Sequence, residues 1–157
     1  PGDGRAALAE RLLAAEMPAL GPEGRAAAIA EAERVLTAPF AAAVFGPASL
    51  AEVAVAIPAP GESEPPMLGR IDRLVLAPDR ADIVDIKTDA APPAGPGGVP
   101  APYLAQLAAY SRAVAALYPR REVRAQLLWT AGPALMTLPP GLLAASGGPA
   151  PPGAPPA

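Results

Sequence analysis

Apolar and polar positions change period several times along the chain. From Arg5 to Glu16, Leu8, Leu12 and Leu13 recur at helical spacing, and Pro18 ends the run. A second helical stretch spans about Pro22 to Leu36. Pro22 and Glu23 suit a first turn, Ile29, Val35 and Leu36 supply apolar contacts, and Thr37–Ala38–Pro39 breaks it. Phe40, Val44 and Phe45 predict one more helical turn before Gly46–Pro47. At Leu50 the period falls to two. Leu50–Pro58 sets Val53, Val55 and Ile57 against Glu52, Ala54 and Ala56, the mark of a half-buried strand. After a loop, Ala59–Pro66, that carries Glu62 and Glu64, two apolar-rich runs, Leu68–Ala77 and Ala81–Thr88, flank Pro78–Asp79–Arg80 and predict an antiparallel hairpin. The Pro- and Gly-rich loop Ala90–Ala101 leads to a helix over Tyr103–Tyr118, with Leu104, Leu107, Ala108 and Ala115 in its packing stripe. Arg120–Thr130 predicts a fourth strand with Val123, Ala125, Leu127 and Trp129 on one face. Ala131–Gly132–Pro133 turns the chain into a short strand, Ala134–Leu138. From Pro139 onward an irregular tail is expected. The order predicts an α/β fold in which a small mixed sheet is flanked by helices. It divides into a helical part (1–49), a core (50–138) and a Pro/Gly/Ala-rich tail (139–157).

Composition narrows the picture. The 157 residues suffice for one domain with a modest core. Hydrophobic residues make up 52% but aromatics only 4%, so alanine fills much of that share and the core must rest on Leu, Val and Ile. The absence of cysteine excludes disulfides and a cysteine-ligated iron–sulfur cluster. A net charge of −3 gives no global attraction to nucleic acid, so any phosphate contact must be local. The basic cluster Arg120, Arg121 and Arg124 is either such a contact or a solvated strand start. No apolar run is long enough to span a membrane and no signal peptide opens the chain, so a cytoplasmic setting is expected. The first residue is Pro1, which reads as a piece of a longer protein.

Candidate chemistry lies in the hairpin. Asp72, Asp85 and Lys87 interrupt its apolar pattern. Asp85 and Lys87 share one strand face, while Val84 and Ile86 point to the other, which is expected to be the core. With the strands in register, Asp72 lies beside Asp85. Magnesium favours oxygen ligands and needs only one or two protein carboxylates, and a nearby ammonium can stabilise a developing anion. Read from these residues alone, the same pattern also fits the polar face of an amphipathic sheet with an ion pair worth little. Arg70 shares the face of Asp72 and is either a phosphate contact or a solvated side chain.

Gly69–Arg70–Ile71–Asp72, Asp85–Ile86–Lys87 and Gln106-x-x-x-Tyr110 occur in order, in a strand–strand–helix context. This set resembles the GxxD, (D/E)xK and QxxxY motifs of the RecB-like branch of the PD-(D/E)XK nuclease superfamily. The wider wording GRIDRL…IVDIKT…YLAQLAAY…LLWT is similar to the nuclease domain of AddA-type helicase–nucleases of bacterial double-strand-break repair, over about Leu50 to Leu138. The resemblance implies a restriction-endonuclease-like αβββαβ core and magnesium-dependent (manganese-tolerant) hydrolysis of DNA. In it Asp72, Asp85 and the Ile86 carbonyl hold the ion, and Lys87 positions water or stabilises charge on the phosphate. Glu52 assists, and Gln106 and Tyr110 orient the lysine or hold the DNA strand. The partners it implies are DNA, helicase domains of the same polypeptide and an AddB-like second subunit, in the bacterial cytoplasm. The alternative is a non-catalytic DNA-binding or scaffolding module with a nuclease-like fold. Relatives in this branch carry a metal-ligating histidine on a helix before the sheet. This chain has no histidine, so the resemblance implies that by itself it holds the ion weakly and cuts poorly or not at all.

Overall fold

A computed structural model describes residues 4–57 and 67–146. The loop bearing Glu62 and Glu64 and the tail over 147–157 lie outside the described residues. The chain divides into two compact units, Pro1–Pro39 and Phe40–Ala157.

The first unit is a helical hairpin, α1 (Arg5–Glu16) and α2 (Pro22–Thr37). Gly21 and Pro22 start α2, with Pro22 at a position where a missing N–H costs nothing. Arg25 ties the two helices together: its Nε donates to Glu10 at 2.7 Å and its Nη1 to the Leu20 carbonyl at 2.6 Å.

The second unit holds five strands in the order β1-β2-β3-β4-β5. These are β1 (Ser49–Ile57), β2 (Met67–Leu76), β3 (Arg80–Lys87), β4 (Glu122–Trp129) and β5 (Ala134–Thr137). The predicted hairpin is β2–β3, antiparallel with Arg73 opposite Val84 and Leu76 opposite Ala81. β3 and β4 are parallel, joined through α4 (Ala101–Leu117). A parallel pair needs such a crossover, because a tight turn can join only antiparallel neighbours. The expected mixed α/β sheet flanked by helices is therefore the observed fold. The predicted single turn after Pro39 is α3 (Ala41–Val44), which belongs with the sheet. Arg73 fastens it: Nε donates to the Val44 carbonyl at 3.1 Å, and the guanidinium lies 5.2 Å from the Phe45 ring centre.

The main core lies between α4 and one sheet face. Val55, Ile57, Ile71, Ile83, Leu127 and Trp129 meet Leu104, Leu107, Ala108 and Val114 there. The tail expectation needs correction. Pro140–Ala145 forms α5, and Leu142 and Leu143 join this core. Proline-rich composition concealed two leucines able to bury area, and Pro140 suits a first helical turn.

Candidate active site

Strand parity carries Asp85 and Lys87 on the same face as Ala81 and Ile83. Those two belong to the core under α4. The face assignment made from sequence is therefore reversed: Asp85 (3% exposed) and Lys87 (8%) are buried beneath the helix. Val84 faces the other way and is also fully buried. Both faces of β3 are covered, so apolar character alone could not tell which was which.

Asp72 sits one position beyond the last β2–β3 ladder pair, Arg73 with Val84. Its carboxylate replaces the missing ladder partner: Oδ2 accepts the Ile86 N–H at 2.7 Å. This bond fixes Asp72 at the point where β2 leaves β3, beside Asp85. Burial pushes the Asp85 carboxyl above its ordinary value of 3.8, and the Asp72 charge pushes the same way; Lys87 opposes both. Asp85 Oδ2 lies 2.7 Å from Lys87 Nζ.

Lys87 is held from α4. Its Nζ donates to Gln106 Oε1 at 3.3 Å, and Gln106 Nε2 donates to the Tyr110 hydroxyl oxygen at 3.3 Å. Gln106 and Tyr110 lie one turn apart on α4, which lets them bond to each other. The Tyr110 hydroxyl also accepts the Arg70 N–H of β2 at 3.4 Å. Tyr110 is both a core side chain and the far end of this polar chain. Its approach to β2 requires Gly69: a Cβ there would come within 2.6 Å of Tyr110 Cε1 and 2.9 Å of Ile57 Cδ1. The glycine of the GxxD motif and the tyrosine of the QxxxY motif thus meet, the first providing the space that the second occupies.

The other sequence candidates lie elsewhere. Glu52 stands opposite Asp72 in the β1–β2 register, between the pairs Ala51–Arg73 and Val53–Ile71, but its φ of 54° takes it out of the ladder. Its exposed carboxylate pairs with Arg70 Nη1 at 3.3 Å. Among the described residues, no group of three His, Cys, Asp or Glu side chains comes together. The basic cluster is not at this site. Parallel pairing puts Glu122 beside Arg80 and Trp129 beside Lys87. The arginines at the start of β4 are therefore well removed from Lys87 along the strand, roughly 15–30 Å at about 3.3 Å per residue. Arg124 is committed to the buried Asp82, with Nε donating to Oδ1 at 2.8 Å, and Arg80 Nε binds the same carboxylate at 2.9 Å. Trp129 is a core residue.

Sequence reasoning passed over Tyr103 and Asp89. The Tyr103 ring centre lies 3.9 Å from Lys87 Nζ, and its hydroxyl donates to Asp89 Oδ1 at 3.0 Å. Burial and the Asp89 carboxylate hold the Tyr103 hydroxyl above its ordinary pKa. The available signal was periodicity, since Tyr103 precedes Gln106 by about one turn.

The donor set fits a hard divalent cation. Asp72 keeps one oxygen outside its bond to Ile86, Asp85 stands beside it with one oxygen paired to Lys87, and two carboxylates suffice for magnesium. No helix among the described residues is long and apolar enough to cross a membrane.

A family model described as the PD-(D/E)XK nuclease superfamily covers residues 2–139, from α1 through the end of the sheet. No curated protein matches the chain.

Proposed function

The chain belongs to the PD-(D/E)XK nuclease superfamily, and on that premise we propose that it hydrolyses DNA phosphodiester bonds with magnesium or manganese. The observation that carries this reading is the buried Asp85–Lys87 pair, with Asp72 beside it and Gln106 behind it. A purely structural sheet has no use for two neighbouring carboxylates on a core-facing edge, because burying charge is costly. Asp72 and Asp85, with the Ile86 carbonyl, would hold the ion. When bound, the ion supplies positive charge where negative charge builds on the phosphoryl and leaving oxygens. The Ile86 N–H keeps the Asp72 carboxylate from turning away. Lys87 carries a fixed positive charge to the same place, orienting the attacking water or neutralising a phosphoryl oxygen. Gln106 and Tyr110 hold the lysine in position. Glu52 acts at most from the rim, through water or a second ion, and Arg70 beside it is an exposed cation paired with it.

The ordered GxxD, DxK and QxxxY motifs further support placement in the RecB-like branch and, within it, with AddA-type helicase–nucleases. In that reading the substrate is DNA delivered by helicase domains of the same polypeptide, with an AddB-like subunit, during break repair in the bacterial cytoplasm. The test uses end-labelled single-stranded DNA with the chain in molar excess. Slow cutting is expected in magnesium or manganese, with none in EDTA. Cutting that continues in EDTA would rule out the metal-dependent mechanism. Metal-independent DNA binding without cutting would favour the scaffolding alternative.

A further inference from the structure

Lys87 ends in an ammonium with three N–H donors. Asp85 Oδ2 lies 2.7 Å from it and Gln106 Oε1 3.3 Å from it. The third neighbour is the face of the Tyr103 ring, whose centre lies 3.9 Å from Nζ. A cation over a ring face is attracted by the ring quadrupole, and the attraction grows when water is excluded. Lys87 is 8% exposed, so the contact is largely desolvated. The ring is itself constrained. Its hydroxyl donates to both Asp89 oxygens, at 3.0 and 3.2 Å, and its face is tilted against Trp129 with centroids 6.3 Å apart. Trp129 is the register partner of Lys87, and Asp89 follows it on the chain leaving β3.

We propose that Tyr103 is a positioning residue: its ring forms the third wall of a cage that fixes the Lys87 ammonium, and Asp89 fixes the ring. This inference rests on the nuclease reading for its kinetic consequence, but not for the cage itself. The lysine stem has four rotatable carbons, and two oxygen partners leave one N–H donor of the ammonium unheld. The ring face supplies the third contact. The ring face makes the contact, and the hydroxyl only orients it.

Two variants separate the ring from the hydroxyl. Tyr103→Leu removes the π face but keeps apolar volume; Tyr103→Phe keeps the face and loses the tie to Asp89. In metal-dependent cutting, Tyr103→Leu is expected to lower kcat about tenfold with KM nearly unchanged, the span of a desolvated cation–π contact. Tyr103→Phe is expected to stay within about threefold of the parent chain, since the ring contact survives. An independent readout needs no activity. Protons lying over an aromatic face resonate upfield, so the Lys87 Hε signals should be shifted upfield in the parent chain and in Tyr103→Phe, and return to ordinary lysine values in Tyr103→Leu. Equal kinetics for all three proteins, an effect confined to KM, or Lys87 Hε signals at ordinary positions in the parent chain would each overturn the cage. Absence of cutting by the parent chain with either metal bears on the nuclease reading alone, while the Hε shifts still decide the cage.

Discussion

Asp85→Asn is expected to abolish metal-dependent cutting and to destabilise the fold at the same time. The activity loss follows from removing a ligand charge: several kcal/mol of transition-state stabilisation by an ion corresponds to about a thousandfold or more in rate. The stability loss follows from burial. Asp85 and Lys87 have side chains only 4% and 10% exposed, and lie 2.7 Å apart. Removing one partner of such a pair strands the other, at a typical cost of about 3–5 kcal/mol. Gln106 and the Tyr103 ring still hold Lys87, and the substitution also removes a desolvated carboxylate charge, so a loss smaller than that range is expected. Adding Lys87→Met to Asp85→Asn removes the stranded charge and should recover much of the stability with none of the activity. Urea unfolding and single-turnover cutting of the parent chain, the single variant and the double variant measure both. A double variant no more stable than the single one would show that the pair does not carry the burial cost argued here.

Magnesium is expected to raise the melting temperature in a pH-dependent way. The folded-state pKa of Asp85 is raised above 3.8, first by burial, with the Asp72 charge adding to it. A carboxyl raised in this direction contributes stability that is complete below its unfolded pKa and is lost as pH rises through its folded pKa. At neutral pH an ionised Asp85 therefore weighs against the fold. A bound cation relieves that cost and stabilises further by mass action, about 1.4 kcal/mol at ten times its dissociation constant. For a chain of this size the shift is on the order of a few degrees. It should be full at neutral pH and fade as acid protonates Asp85, with a midpoint above the ordinary carboxylate value. A magnesium shift that is as large in acid as at neutral pH would place the ion elsewhere.

Much of this arrangement was legible from the residues, for local reasons. Alternating aliphatics around Pro78–Asp79 fix the hairpin, and apolar spacing from Leu104 to Val114 fixes α4. The motifs were legible because their spacings, Asp85 to Lys87 and Gln106 to Tyr110, are single-element periods. What escaped depends on relations between elements. Parity says that Asp85 and Lys87 share a face, but not that α4 covers it, because Val84 on the reverse face is equally buried. The arginines near Arg120 follow soon after the motif helix in sequence. Only the parallel crossover sends them to the far end of the sheet. Tyr103 read as the start of a helix. Its contact with Lys87 exists because α4 begins beside the exit of β3. Gly69 read as a motif letter, and its physical role appears only when Tyr110 is seen filling the space that a side chain would need.

Paramagnetic broadening by manganese tests the central claim most directly, because it reports where the ion sits whether or not the chain turns over. Substoichiometric manganese added to isotope-labelled protein should broaden the amide signals of Asp72, Asp85, Ile86 and Lys87 first and most strongly. The same titration of Asp85→Asn should leave those signals sharp. Broadening centred on Glu52 or on Asp82, or none around Asp72 and Asp85 in the parent chain, would contradict the assignment of this site as the metal centre of a nuclease.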